Sequence, residues 1–295
     1  MTLQVLYALD AYCIPLARIS LLSCCLQVPV ASVRVVTPVG VDISQLCRIA
    51  DSFQVPLVQT FLADDDPIQR LPTSIRPYFY CLSALAQPGD GPALLLDADT
   101  LCVGDLQPLL ELSLTAQRPI AACSHHHPMP DRQLALNLPS PFSYINAGVL
   151  LFEPQLLAQH FQLDAALQFF DQHRVLCRFR EQCVLNALLA DHFHFLPPRF
   201  NLLSWMRHRA RRSPWQSELL NPMAALLPQE RAQAQIVHFS NGCLPRRLRW
   251  YQRDRFDRYW LQLEAALKVW EQGGCQGLLQ PGRFTPTRLT PSRTH

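Results

Sequence analysis

The sequence is almost without lysine. Of 26 basic residues in 295, only Lys268 is one, so nearly every cationic role falls to arginine, whose planar fork grips carboxylates and phosphates. No CxxC pair or repeated spacing occurs among the 11 cysteines, and their odd number leaves a thiol unpaired under any oxidation. Reduced thiols in the cytoplasm are expected. No apolar run reaches the ~20 residues that span a bilayer, and the opening MTLQVLYALDAY lacks the basic region and small-residue cleavage site of a signal peptide. Internal repeats are absent. A net charge of +3 is too mild to demand a nucleic-acid partner, and none is expected.

What the chain does have is apolar material: 49% hydrophobic against 17% charged residues, enough for a large core. Short apolar runs alternate with longer amphipathic stretches, the pattern of helical crossovers on a mainly parallel sheet. Strands are expected at Gln4–Leu9, Ser32–Pro38, Val55–Phe61, Ala93–Leu96, Pro119–Ser124, Tyr144–Phe152, His192–Pro197 and Ala234–Ser240. Helices are expected at Pro15–Cys25, Ile43–Phe53, Ile75–Ala86, Leu163–Gln172 and Glu181–Ala190. The fold class is α/β, with one large domain over 1–260. A helix end and a Pro-, Thr- and Arg-rich tail, read as flexible, occupy 261–295.

The stretch ALLLDADTLCVGDLQPL (Ala93–Leu109) sets Asp97 and Asp99 directly after a buried strand. In open α/β sheets ligands bind beyond the carboxyl ends of strands. Alternation along an extended segment would point both acids to one side, where a divalent cation relieves their repulsion. An Asp-x-Asp alone is equally well read as a helix cap beside a solvated acid. Two chemistries compete for the metal reading: a haloacid-dehalogenase-type phosphatase, and a nucleotide-sugar glycosyltransferase whose acids hold a metal on the diphosphate. The phosphatase pattern wants a threonine two positions after the second acid, near the N-terminus, and a downstream lysine. Thr100 comes one position early, and the motif lies a third of the way along the chain.

Further ordered motifs resemble glycosyltransferase family 8, which includes glycogenin and bacterial lipooligosaccharide galactosyltransferases. The resemblance runs from about Leu3 to Pro245. YALDAY (Tyr7–Tyr12) is similar to the family's first strand end, implying uracil and ribose contacts at Ala8, Asp10 and Tyr12. YINAGVLLF resembles the segment that contacts the donor sugar, implying roles for Asn146, Ala147 and Gly148. EQCVLNAL (Glu181–Leu188) resembles the family's Asp-Gln-Asp helix and implies catalytic positions at Gln182 and Glu181. PRFNLL carries a substrate-side Asn201, and IVHFSNGCLP (Ile236–Pro245) resembles the segment whose histidine is a metal ligand.

The resemblance thus implies a GT-A fold with a nucleotide-sugar half and an acceptor half, and transfer with retention of configuration. Asp97, Asp99 and His238 would hold Mn²⁺ (or Mg²⁺), manganese accepting imidazole more readily. The donor would be a nucleotide sugar, UDP-glucose or UDP-galactose, and the acceptor a glycan, a lipid-linked sugar or a small hydroxyl compound.

Departures from the family pattern cluster on the cations. Cys81 stands where the family has arginine and Leu244 where it has a phosphate-binding lysine. Arg76, Arg246 and Arg247 are the nearest substitutes, and Asn241 replaces the terminal motif's glycine with Gly242 adjacent. Leu9 and Cys183 replace family acids. These losses keep a rival reading open, a nucleotide-sugar-binding protein without turnover. Two regions are read blandly. CSHHHPMPDR (Cys123–Arg132) is expected to be an exposed polar loop with incidental histidines. The basic stretches Arg207–Arg212 and Pro245–Trp260 suggest a solvated amphipathic helix, or peripheral contact with the inner face of a membrane.

Overall fold

The computed structural model describes residues 3–207, 215, 217–240, 243–273 and 279. Its larger sheet contains β1 (Leu3–Ala8), β2 (Val30–Thr37), β3 (Leu57–Phe61) and β4 (Ala93–Leu96). The chain then leaves that sheet to form β5 (Thr100–Cys102), and returns as β6 (Ile120–Ser124), β7 (Ile145–Phe152) and β8 (Phe193–Leu196). Two short strands, β9 (Leu202–Leu203) and β10 (Ile236–His238), join β5 in a second sheet. The order across the larger sheet is β3-β2-β1-β4-β7-β6-β8. Every neighbouring pair in it is parallel except those of β7, which runs against both β4 and β6.

Alternate residues of the central strands feed two cores, one on each face of the sheet. From β4, Leu94 and Leu96 enter one core while Ala93 and Leu95 enter the other. That double burial is why ALLL reads as an unbroken apolar run. Helix Ile14–Gln27 lies in the first core with its residues from Ile19 to Leu26 all buried. Helices Arg76–Leu85, Leu163–Gln172 and Arg180–Leu188 cover the opposite face.

Each strand and helix expected from the sequence is present, its ends displaced by no more than two residues. Strands β5 and β9 were not anticipated, because two or three residues are too few to display an alternation. The described cysteines are free thiols.

The stretch 245–260 corrects the expectation of one solvated helix. Two 3₁₀ turns, Pro245–Arg247 and Trp250–Gln252, precede a helix that begins only at Arg255 and runs to Glu271. Asp254 is the reason: its carboxylate accepts from the Phe256 and Asp257 backbone amides at 2.9 Å each, while the Asp257 carboxylate accepts from the Asp254 amide at 2.8 Å. This reciprocal cap starts the helix. Asp257 is fully buried and faces the equally buried Arg207 at 3.4 Å. Arg207 therefore turns inward instead of contributing to a basic surface patch, and it lies over the Phe239 ring, 4.2 Å from its centre. The rest of the Arg207–Arg212 stretch lies outside the described residues.

Trp260 packs against Phe239 with ring centres 4.8 Å apart, so the late helix supports the strand end that carries His238. Trp260→Ala empties a fully buried site and is expected to cost about 3–5 kcal/mol. Urea unfolding followed by circular dichroism measures the loss.

Candidate active site

The two acids occupy the jump from the large sheet to the small one. Residues 98 and 99 form a turn between β4 and β5, so the acids reach one side by turning and not by the strand alternation expected. The turn is fastened from several directions. Asp97 donates its amide to the Gly148 carbonyl of β7 at 2.9 Å, and the Thr100 amide donates back to the Asp97 carbonyl at 3.2 Å. The Thr100 hydroxyl also donates to that carbonyl, at 2.8 Å. Behind it, a buried chain of hydroxyls links Thr100 to Ser20 at 2.8 Å and Ser20 to Tyr7 at 2.9 Å.

His238 arrives from the far end of the chain as the last residue of β10, paired in register with Thr100. The following amide, Phe239, donates to the Asp99 carbonyl at 2.9 Å. The imidazole Nε2 then lies 3.1 Å from Asp99 Oδ1 and 3.6 Å from Asp97 Oδ2. Ligand atoms of all three residues lie within 4.8 Å of one another.

The other imidazole nitrogen determines what Nε2 can do. Nδ1 faces two amide oxygens, Asn201 Oδ1 at 3.1 Å and Asn146 Oδ1 at 3.2 Å. Both are acceptors, so Nδ1 carries the proton and the Nε2 lone pair is aimed between the aspartates. Gly148 gives this group its room. A Cβ there would collide with the His238 ring and stand 2.7 Å from Asp97 Oδ2.

Electrostatics press on the same cluster. Burial raises the Asp97 carboxyl to about 6 despite a side chain 47% open to the cleft, partly offset by His238. For His238, burial disfavours the imidazolium, but the Asp99 carboxylate overcomes it and the net shift is upward. Asp99 shifts downward: burial opposes ionisation, and His238 reverses that. Two carboxylates and an imidazole with a fixed tautomer suit a divalent ion that takes both oxygen and nitrogen ligands, as Mn²⁺ does.

Asp97 and Asp99 line a cleft of about 300 Å³ together with Tyr78, Cys81, Glu181 and Gln182. Ala8, Ala147 and Gly148 line it too. Gln182 is buried and fixed at both ends of its amide. Its oxygen accepts from Asn146 Nδ2 at 3.0 Å and from the Ala147 amide at 3.2 Å, and its nitrogen meets His125 Nε2 at 3.2 Å. Helix Arg180–Leu188, which carries Gln182, is clamped to β7 by Asn186. The Asn186 amide accepts from the Ile145 N–H at 2.7 Å and donates to the Ile145 carbonyl at 3.1 Å. Glu181 has a carboxylate oxygen buried without a hydrogen-bond partner, and burial pushes its pKa up to about 8.

Several sequence expectations need correction. Asn201 has no exposed surface and lies against the inner side of the His238 ring. The Asn146 oxygen is likewise engaged inside the protein, accepting from Asn201 at 2.8 Å and from the Gly148 amide at 3.1 Å. Arg246 stands outside the cleft, its Nε donating to Glu264 at 2.8 Å. Arg76 spends its guanidinium on the Leu71 carbonyl at 2.7 Å and on Gln69, and so does not substitute for the missing cation. Gly242 lies outside the described residues. Asp10 accepts from the Cys13 amide at 2.9 Å at the start of helix Ile14–Gln27, and Tyr12 beside it is 90% exposed.

The three-histidine segment is no exposed polar loop. His126 is buried, and His127 stacks on Trp215 with ring centres 5.0 Å apart. His125 sits by Tyr144 at 5.6 Å and touches Gln182. Burial lowers the His125 pKa to about 3, keeping it neutral and able to accept from the Gln182 amide. No spacing in the sequence couples position 125 to position 182.

A mixed sheet that jumps through an Asp-x-Asp turn into a small second sheet is the GT-A architecture of glycosyltransferases. The model of glycosyl transferase family 8 matches residues 91–243, just over half of the chain, and the chain belongs to that family. Solved structures share the fold at low identity. Galactosyltransferase LgtC, solved with donor and acceptor sugar analogues, is 15% identical over 90% of this chain and 96% of its own, with a TM-score of 0.65. GlyE of Streptococcus pneumoniae is 17% identical over 92% of this chain and 64% of its own, with a TM-score of 0.63. Mouse xyloside xylosyltransferase 1 is 14% identical over 82% and 98%, with a TM-score of 0.56. No curated protein sequence matches the chain.

Two outcomes follow from the geometry. Gly148→Ala is expected to weaken Mn²⁺ binding by about tenfold or more, since the added methyl displaces ligand side chains; calorimetric titration with MnCl₂ measures it. Metal binding requires Asp97 and His238 to be deprotonated, so affinity is lost as pH falls. His238 titrates above its ordinary 6.5, so affinity should fall about tenfold per pH unit already from above pH 6.5, and more steeply below about pH 6, where Asp97 protonates as well, with proton release detectable in buffers of different ionisation enthalpy.

Proposed function

We propose that the protein is a metal-dependent, retaining hexosyltransferase that moves glucose or galactose from its UDP derivative to a hydroxyl acceptor. The observation that carries this reading is the convergence of Asp97, Asp99 and His238 on one point at the edge of a cleft that also holds Gln182. Family membership supports the transfer chemistry and leaves the phosphatase alternative without support. LgtC, crystallised with donor and acceptor sugar analogues, offers the analogy for the two substrates. The acceptor is a glycan, a lipid-linked sugar or a small hydroxyl compound.

In this reading Ala8, Asp10 and Tyr12 receive the uracil and ribose at the end of β1. Asp97, Asp99 and His238 hold Mn²⁺ (or Mg²⁺), which when bound neutralises charge that develops on the departing diphosphate. Ala147 and Gly148 let the donor sugar approach the sheet closely, and Asn146 and Asn201 keep His238 turned toward the cleft. Gln182, its amide held at both ends, presents a fixed dipole to the sugar. An amide is a poor nucleophile, so its contribution is electrostatic and positional. The acceptor attacks from the face that the diphosphate leaves, and its proton passes to the departing phosphate oxygen.

The rival reading, nucleotide-sugar binding without turnover, draws on one observation: none of the described residues lining the cleft is an arginine or lysine. We favour the cytoplasm as the location. No helix among the described residues is long and apolar enough to cross a membrane. Trp250, 78% exposed among arginines, suits peripheral contact with an anionic surface.

Calorimetry with UDP, with and without Mn²⁺, followed by assay of UDP release from a panel of UDP-sugars, separates these readings. Metal-dependent binding with release from one sugar supports the transferase and names its donor. Binding with no release, even across an acceptor panel, favours the binding protein. Asp99→Ala is expected to abolish metal-dependent UDP binding, and unchanged affinity in that variant would sink the metal assignment.

A further inference from the structure

The cleft carries the carboxylates of Asp97, Asp99 and Glu181 and no basic lining residue among those described. A diphosphate cannot settle there on one divalent ion alone. With Glu181 protonated, two aspartates and a divalent cation sum to zero, and the charge of the diphosphate remains uncompensated. Departure of the leaving group loads still more negative charge onto the same oxygens, so a further cation is needed close by.

A basic side chain does pack on the cleft wall. Arg180 lies over the ring of Tyr78, its guanidinium carbon 3.8 Å from the ring centre, and Tyr78 is part of the cleft wall. The stacking holds the planar cation in place while leaving its N–H edges available. The Arg180 guanidinium makes no hydrogen bond or salt bridge with the described residues. Its charge is nonetheless felt inside the cleft, where it favours the ionised form of Glu181 against the larger effect of burial.

The backbone of Arg180 adds an independent sign. Its φ is +47°, in the left-handed region that a residue with a Cβ enters at a cost. Strain of this kind persists at functional sites where the surroundings impose it. Arg180 opens the nine-residue helix Arg180–Leu188, whose start has no side-chain cap, and whose first turn carries Glu181 and Gln182 into the cleft. The positive end of that helix and the guanidinium act in the same direction.

We propose that Arg180 is the protein's own cation for the donor diphosphate, pairing with its oxygens in the bound state and through departure. This rests on the nucleotide-sugar reading given above. In the transfer, the bond between the anomeric carbon and the diphosphate oxygen breaks with its electron pair passing to that oxygen. The acceptor oxygen bonds to the carbon, and the acceptor proton goes to the diphosphate. Arg180 stays charged throughout and exchanges no proton. Tyr78 is the positioning residue that keeps it there.

The test compares full-length wild type with Arg180→Gly and Arg180→Lys in the presence of MnCl₂, measuring UDP by calorimetry and uridine by ligand-observed NMR. Glycine adopts the left-handed backbone without penalty, so the fold should survive loss of the side chain, and a thermal melt checks it. Arg180→Gly is expected to weaken UDP by about tenfold or more, the usual worth of a charge-assisted hydrogen bond, and to leave uridine unchanged. Arg180→Lys should recover part of the loss. Equal UDP affinity in wild type and Arg180→Gly overturns the assignment, and so does an equal loss for UDP and uridine. If wild type itself shows no Mn²⁺-dependent UDP binding, the nucleotide-sugar reading fails first, and that failure is visible without any variant.

Discussion

The antiparallel pairing of β5 with β10 brings the two halves of the metal-ligand set together. Asp97 and Asp99 belong to the turn that enters β5, and His238 ends β10. Registering His238 on Thr100 places imidazole and carboxylates within reach of a single ion. The small sheet has only three strands and little hydrogen bonding of its own. Its position comes from what packs around it: the buried helix Ile14–Gln27 together with Phe239 and Trp260 in one core, and the Arg207–Asp257 pair beside Phe239.

Beneath the ligands lies a continuous set of buried side-chain amides. Asn201 and Asn146 meet His238, Asn146 meets Gln182, and Gln182 meets His125. Buried amides are costly when unpaired and stiff when paired. Here the pairing transmits position from β7 and helix Arg180–Leu188 to the imidazole, so His238 and Gln182 are held by one network. The unpartnered oxygen of Glu181 stands apart from that network. Among the described residues lining the cleft, it is the buried carboxylate oxygen that no hydrogen bond engages.

How far the sequence could be read depended on the length of the signal. Strands buried on both faces, such as ALLL and INAGVLLF, announce themselves by unbroken apolar runs, and the helices by their periodicity. The clustering of Asp97, Asp99 and His238 was legible because all three sit in ordered motifs. Strand β9 and the start of helix Arg255–Glu271 were not, since two residues show no alternation and a cap two turns downstream of Pro245 competes with a continuous basic-aromatic run. The misread histidines teach the same lesson differently. His125 looked incidental because its partner, Gln182, is brought to it only by tertiary packing, and the contact of Asn201 with His238 was invisible because sequence order says nothing about which side of an imidazole an amide approaches. Cys183, at a family acid position, is fully buried and near the Tyr144 hydroxyl at 3.1 Å, a packing role no motif encodes.

The placement of helix Arg255–Glu271 has a consequence for synthesis on the ribosome. Phe239 follows directly on His238, and the surfaces that hold it, Trp260 and the Arg207–Asp257 pair, belong to or are completed by that late helix. Strands β1 to β4 can pair as they appear, with helical crossovers close in sequence. The cluster of Asp97, Asp99 and His238 cannot form in this way, because the support of its last member waits for residues 255–271 and must then close a long loop back to β5. A nascent chain would therefore carry Asp97 and Asp99 as an open acidic pair until that helix docks and the imidazole is held between them.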